Sequence, residues 1–147
     1  MSFFVYGLVI VLIILVPNVV FALCNKDGFE NNWHSKTVEI LEQVGRFGCM
    51  IFMFIVIPEI SFSSDECFAL YIIVNMALLL LYCLLWIVFF KKNNMAKAVS
   101  LSVIPSVIFL FSGIISFNIP LIIAAVIFSP CHILISVKNV TEKEKTE

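Results

Sequence analysis

Charge is what this chain has least of. Nine Lys and Arg and ten Asp and Glu make up only 13% of 147 residues, against 62% hydrophobic side chains, and the mean hydropathy is +1.11. A water-soluble domain of this length needs far more polar surface, so the composition excludes one and points to a membrane. The net charge of −1, with no basic patch interleaved with aromatics, gives no footing for nucleic acid. Five cysteines (Cys24, Cys49, Cys67, Cys83 and Cys131) show neither a CxxC pair nor metal-ligand spacing, and the two histidines, His34 and His132, are far apart. The expectation is therefore no disulfide, no metal and no cofactor, with cysteine acting as a small hydrophobe. No Walker, HExxH or GxSxG sequence occurs. Beneath the interfaces, charge is confined to Arg46 at one rim and Glu59 near the other. Proton-coupled pumps depend on such groups at depth, so that class is disfavoured.

What is present is a series of long apolar runs. A bilayer core of about 30 Å needs about 20 residues of helix. Residues 2–23, 67–90, 97–117 and 121–138 each come close to that length with few or no charges. The first could be mistaken for a cleaved leader. It lacks a positive n-region and is too long for one, so it reads as a span. A second segment, 38–60, is different: Glu39, Glu42 and Arg46 occupy its first turns, and Phe47 to Ile57 carry no charge. It reads as a helix that starts in water and finishes in lipid near Pro58. The expected fold is all-α, a polytopic bundle of five transmembrane helices forming one membrane domain over residues 1–147. Residues 24–37 make a polar connector and 139–147 a frayed charged tail. Pro17 is expected to kink the first helix and Ser129-Pro130 to break the last. Tyr82 and Trp86 sit where interfacial aromatics often do.

Orientation follows from the basic residues. Lys26, Lys36 and Arg46 fall between the first two segments, Lys91, Lys92 and Lys97 between the third and fourth, and Lys138, Lys143 and Lys145 after the fifth. Cytoplasmic loops collect Lys and Arg, so the expectation is an outside N-terminus, a cytoplasmic connector and C-terminus, and residence in the cell membrane.

With that threading, and about 1.5 Å of rise per residue, polar groups on several segments reach one layer. Asn18 lies roughly 8 Å and His132 roughly 9 Å from the cytoplasmic ends of their helices. Arg46 and Glu42 enter at that level, with Ser100 and Ser102 opposite. Glu39, Glu42 and Arg46 share one helix face. The candidate site is thus a polar pocket near the cytoplasmic face built from Asn18, Glu39, Glu42, Arg46 and His132. Gly45, Gly48 and Gly113 are read as helix-packing positions, and Asn75 as an interhelical hydrogen bond.

The segment Glu42-Gln43-Val44-Gly45-Arg46, together with Phe128-Ser129-Pro130-Cys131-His132, resembles part of the motif set of the CAAX-type intramembrane proteases. The paired glutamate is missing, since Leu41 precedes Glu42, and so is the final membrane histidine. About ten residues match, and the match is read as coincidence. The leading expectation is a non-catalytic accessory subunit or immunity-like factor binding a membrane-protein partner or a second copy of itself. A small-solute transporter working as an oligomer comes second, and an intramembrane hydrolase or transferase using Glu42, Arg46 and His132 third.

Overall fold

The computed structural model describes residues 2–25, 32–56, 62–91 and 94–146. Five helices account for nearly all of them: α1 (Val5–Cys24), α2 (Lys36–Phe54), α3 (Asp65–Phe89), α4 (Met95–Ile115) and α5 (Ile119–Thr146). Apart from these, Ser2–Phe3 pairs antiparallel with Ile55–Val56, and the Phe4 N–H donates to the Phe54 carbonyl at 2.8 Å. Four helices, α1, α3, α4 and α5, are long and apolar enough to cross a membrane. The other, α2, carries Lys36, Glu39, Glu42 and Arg46 in its 19 residues.

Polarity is inverted relative to a water-soluble protein. The outward faces are apolar, including Val9, Leu12 and Val16 of α1, Ile73, Leu80 and Ile87 of α3, and Ile123 and Val126 of α5. Buried positions include Glu42, Asn75, Lys97, Ser102, Ser106, Ser112 and Asn118. Exposed apolar area on this scale is a liability in water but the normal surface in lipid. In α2 the same rule holds: Ile40, Val44, Phe47 and Ile51, at helical spacing, face out, and Glu42 faces in.

The packing of α2 against α5 is set by glycine. A Cβ on Gly45 would stand 2.7 Å from the Phe128 backbone nitrogen, and one on Gly48 would stand 3.0 Å from the Ala124 Cβ. The two backbones therefore approach as only small residues permit. The helices run antiparallel, with Glu42 level with His132 at one end and Phe52 level with Asn118 at the other, where the Asn118 side chain donates to the Phe52 carbonyl at 2.7 Å. Asn118 also accepts from the Leu121 N–H, capping the start of α5. Gly7 makes the same kind of contact between α1 and α2, since a Cβ there would collide with the Met53 carbonyl. Gly113 packs on Ile122 across the α4–α5 turn. In that turn Phe117 adopts φ 52°, and the Asn118 N–H reaches back to the Gly113 carbonyl at 2.9 Å, the 6→1 bond of a Schellman ending. On the far side of the bundle α3 meets α4 through Ser112, which donates to the Asn75 side chain at 3.2 Å.

Four boundaries and placements differ from the sequence-based expectation. Helix α2 ends at Phe54 rather than running on to Pro58 or residue 60, because Ile55 and Val56 are taken into the pairing with Ser2–Phe3; Ile57, Pro58 and Glu59 lie outside the described residues. Helix α5 runs through Ser129-Pro130 without a break, and the Ser129 hydroxyl bonds the Ala125 carbonyl. Nor does the charged tail fray: α5 remains helical to Thr146. Its Lys and Glu residues are helix formers, Glu142 pairs with Lys145 three positions on at 2.7 Å, and Asn139 accepts from the N–H groups of Asn32 and Trp33. Tyr82 and Trp86 are buried rather than turned to the interface, because α1 and α4 cover that face of α3.

Gly45→Ala and Gly7→Ala should each destabilise the protein by about 1–3 kcal/mol, as overpacking at a fixed helix contact does. Phe117→Asn should be neutral or stabilising by about 1 kcal/mol, since it relieves a left-handed residue bearing a large side chain. Reversible unfolding in mixed micelles measures all three. Equal stability of Gly45→Ala and wild type would show that the α2–α5 contact is looser than described.

Candidate functional site

One end of the bundle holds a half-open cavity of about 710 Å³ to which all five helices contribute. Its apolar floor includes Ile14, Met50, Phe109 and Phe128, and its polar wall includes Asn18, Glu42, Arg46, Lys97 and His132.

The polar wall is built by helical spacing. On α2, Glu39, Glu42 and Arg46 recur at intervals of three and four, so the amphipathic helix turns all three towards the cavity. On α4 the interval of four in Lys97, Leu101, Pro105 and Phe109 does the same. On α3 it is Tyr82 and Trp86, and on α5 Phe128, His132 and Ser136.

Glu42 is the centre. It is 3% exposed, and its Oε1 takes three contacts. Arg46 donates to it from Nε at 3.0 Å and also from Nη2, and His132 Nδ1 lies 2.9 Å away. The His132 ring stacks on Phe128 at 4.6 Å between centroids, so imidazole orientation is held from two sides. A carboxylate on one ring nitrogen also fixes which nitrogen carries the proton facing it, leaving the other to meet the cavity.

The expected residues distribute as follows. The structure brings Glu42, Arg46 and His132 into direct contact. Asn18 lines the same cavity but is committed elsewhere: its side-chain N–H₂ donates to the Ile14 carbonyl at 2.7 Å and to the Tyr82 hydroxyl at 2.8 Å, which ties α1 to α3. Glu39 stands at the rim and folds back on the helix start, accepting from the Ser35 N–H at 3.2 Å and lying 3.4 Å from His34. It does not pair with Arg46. Gly45, Gly48 and Gly113 each pack within the chain against α5, at Phe128, Ala124 and Ile122.

Three cavity residues are not assigned to the site by the sequence alone. Lys97 has the sequence position of a loop charge, yet it is 7% exposed, with its Nζ 3.8 Å from the centre of the Phe21 ring and 5.3 Å from that of Trp86. Tyr82 and Trp86 have the sequence positions of interfacial anchors and instead line the cavity. The detectable signal was the interval of four from Lys97 to Phe109, which places a cation on an otherwise apolar helix face. Among the described residues no group of three or more His, Cys, Asp and Glu is placed to hold a metal ion, and all five cysteines are free thiols.

Such a site can bind, orient and exchange protons through His132. Replacing Glu42 with Ala removes the shared partner of two cationic or hydrogen-bonding groups in a half-dry site. The expected cost is about 3 kcal/mol, the lower end of the range for breaking a buried pair, because Arg46 retains access to water. Glu42→Ala and Glu42→Gln compared by unfolding in mixed micelles check this. Comparisons with protein-family models, with curated proteins and with solved structures found no match.

Proposed function

We propose that the protein is a five-span protein of the cell membrane, with its N-terminus outside and its C-terminus in the cytoplasm, and that it is a non-catalytic binding protein whose cytoplasmic cavity holds a small ligand. The single observation that carries this reading is the cavity itself: every helix contributes a wall, and its most buried charge, Glu42, is paired through Oε1 with Arg46 and His132.

Support for α2 as the fifth span comes from its antiparallel run beside α5 and its outward apolar stripe of Ile40, Val44, Phe47 and Ile51. At 1.5 Å per residue its 19 residues reach about 28 Å, close to the thickness of the hydrocarbon core. Support for the orientation comes from where the basic residues fall. Lys36, Arg46, Lys97 and Lys143 all belong to the cavity end, whereas Asp65 and Glu66 begin α3 at the opposite end. The opposite end is also the tightly packed one, with Tyr71, Asn75, Ile108 and Ser112 at most 1% exposed. Close packing of the described residues at the far end favours a binding pocket over a conduit, and binding by this chain over transport through it.

The held imidazole favours one second reading, an intramembrane hydrolase in which His132, oriented by Glu42, activates water. Extraction of the purified protein followed by mass spectrometry separates the two. The binding reading expects an intact small molecule in roughly stoichiometric amount, reduced in Glu42→Ala. Recovery of cleaved fragments that become intact molecules in His132→Ala would establish the hydrolase instead. Orientation is checked with Ser136→Cys, in the cavity, placed in a background without the native cysteines. A membrane-impermeant thiol reagent should reach it in inverted vesicles and fail to reach it in intact cells; the reverse pattern would overturn the topology.

A further inference from the structure

We infer that the cavity takes the anionic head of a membrane lipid, with Lys97 as its counter-ion, and that the lipid's hydrocarbon lies in the apolar groove between α1 and α3. This rests on the binding reading above and names the class of ligand.

The charges of the cavity give the sign. Glu42 is consumed by Arg46 and His132, and Glu39 by the start of α2. Lys97 has no carboxylate partner among the described residues, and its ammonium group lies over the rings of Phe21 and Trp86. A buried cation without a counter-ion is costly in a low-dielectric setting, and two ring faces offset only part of that cost. A second, independent group points the same way. The Trp86 indole Nε1, on a residue 5% exposed, makes no hydrogen bond of good geometry among the described residues and has the Tyr82 hydroxyl beside it. The ammonium group lies 5.3 Å from the centre of the Trp86 ring on one cavity wall, and an anionic oxygen there would satisfy the cation with the indole as its neighbour.

Trp86 also gives the second half of the ligand. Its indole is a wall shared by the polar cavity and by an adjacent groove of about 360 Å³ lined by Ile13, Val16, Val20, Ile87 and Phe90. That groove contains almost nothing polar, and the outward faces of Val16 and Ile87 are exposed. A molecule that satisfies both sites has an acidic oxygen at one end and a chain at the other. A free inorganic anion would fill only the first.

The test uses Trp86 as its own reporter. The chain has two tryptophans, so Trp33→Phe leaves one. The protein is placed in bilayers containing brominated phosphatidylglycerol or brominated phosphatidylcholine at equal mole fraction. The anionic lipid should quench Trp86 several-fold more strongly. Lys97→Met should erase that preference and Lys97→Arg should keep it, whereas Lys91→Met, which changes an exposed basic residue at the same end, should leave it intact. Equal quenching by both lipids would overturn the inference. So would a preference that survives Lys97→Met or falls equally in Lys91→Met, the latter showing general attraction to a basic surface. Displacement of the lipid by millimolar inorganic phosphate would also overturn it, in favour of a free anion. Should Lys97→Met fail to fold, native mass spectrometry of Trp86→Phe replaces it, with loss of retained phosphatidylglycerol as the supporting result and full retention as the contrary one. If no lipid preference is found but an intact ligand of another class is still extracted from the wild type, the lipid assignment falls and the binding reading stands.

Discussion

A carboxylate inside a bundle of apolar helices has to be neutralised where it stands, and Glu42 imposes that requirement on everything around it. Its two partners come from different places: Arg46 from one turn further along the same helix, His132 from a helix 90 positions away in sequence. The first contact is local and nearly free of cost. The second requires α5 to lie against α2 at a fixed depth and in a fixed rotation. Those conditions are met by glycine. Gly45 and Gly48 let the α5 backbone come close at Phe128 and Ala124, and one turn beyond Phe128 stands His132. A larger residue at Gly45 would push the imidazole away and leave the carboxylate with Arg46 alone. The polar contact and the close packing therefore support one another, and neither would persist unaided.

The same reasoning explains how a helix with four charged residues belongs in this fold. Lys36 and Glu39 fall in the first turns, where water or the headgroup layer can reach them. Glu42 turns inward and is satisfied there. Arg46 is half exposed beside the cavity. From Phe47 on, the helix needs no polar partner, and its far end is tied by the Asn118 side chain at Phe52 and by the backbone of Phe4 at Phe54. Helix α5 has the complementary problem of excess length. Its 28 residues extend about 42 Å, more than a bilayer core requires. The surplus is its charged last third, and the contacts from Asn32 and Trp33 to Asn139 use it to hold the connector that leads into α2.

How much of this was legible in the sequence differs between local and distant features. The long apolar runs located α1, α3 and α4, and the start of α5, to within a few residues, because length and hydropathy are properties of a single segment. The inner layer could be anticipated from depth alone, since Asn18, Glu42, Arg46 and His132 each lie a countable number of residues from a helix end. Rotation could not be anticipated so readily. Tyr82 and Trp86 sit at the right height for interfacial anchors, and only the covering by α1 and α4 turns them into cavity walls. Lys97 was hidden for the same reason: its sequence neighbours resemble a loop, and its burial depends on the rings of Phe21 and Trp86 from two other helices. Helix ends decided by non-local pairing were also out of reach. Nothing in the neighbourhood of Phe54 reveals that Ser2–Phe3 will pair with the residues after it.

The two ends of the bundle use their polar residues in opposite ways, and the difference bears on mechanism. At the end away from the cavity, Asn75 and Ser112 satisfy one another directly, and the Ser116 hydroxyl returns to the Ser112 carbonyl of its own helix. Among the described residues no buried side-chain donor or acceptor there is left over, and Gly7 and Gly113 bring neighbouring segments into close contact. At the cavity end the groups are more numerous and close on themselves less completely: Lys97 rests on aromatic rings and the Trp86 N–H makes no hydrogen bond of good geometry among the described residues. Tight satisfaction on one side and surplus donors on the other are what a pocket with a floor requires. A conduit would need comparable polarity at both ends and a path between them, and the densely packed layer at Cys49, Ile108 and Ala125, each with no exposed surface, lies between. To conduct, α2 and α5 would have to separate at Gly45 and Gly48, and that separation would withdraw His132 from Glu42. The contact that stabilises the bundle is therefore the one that opposes opening it.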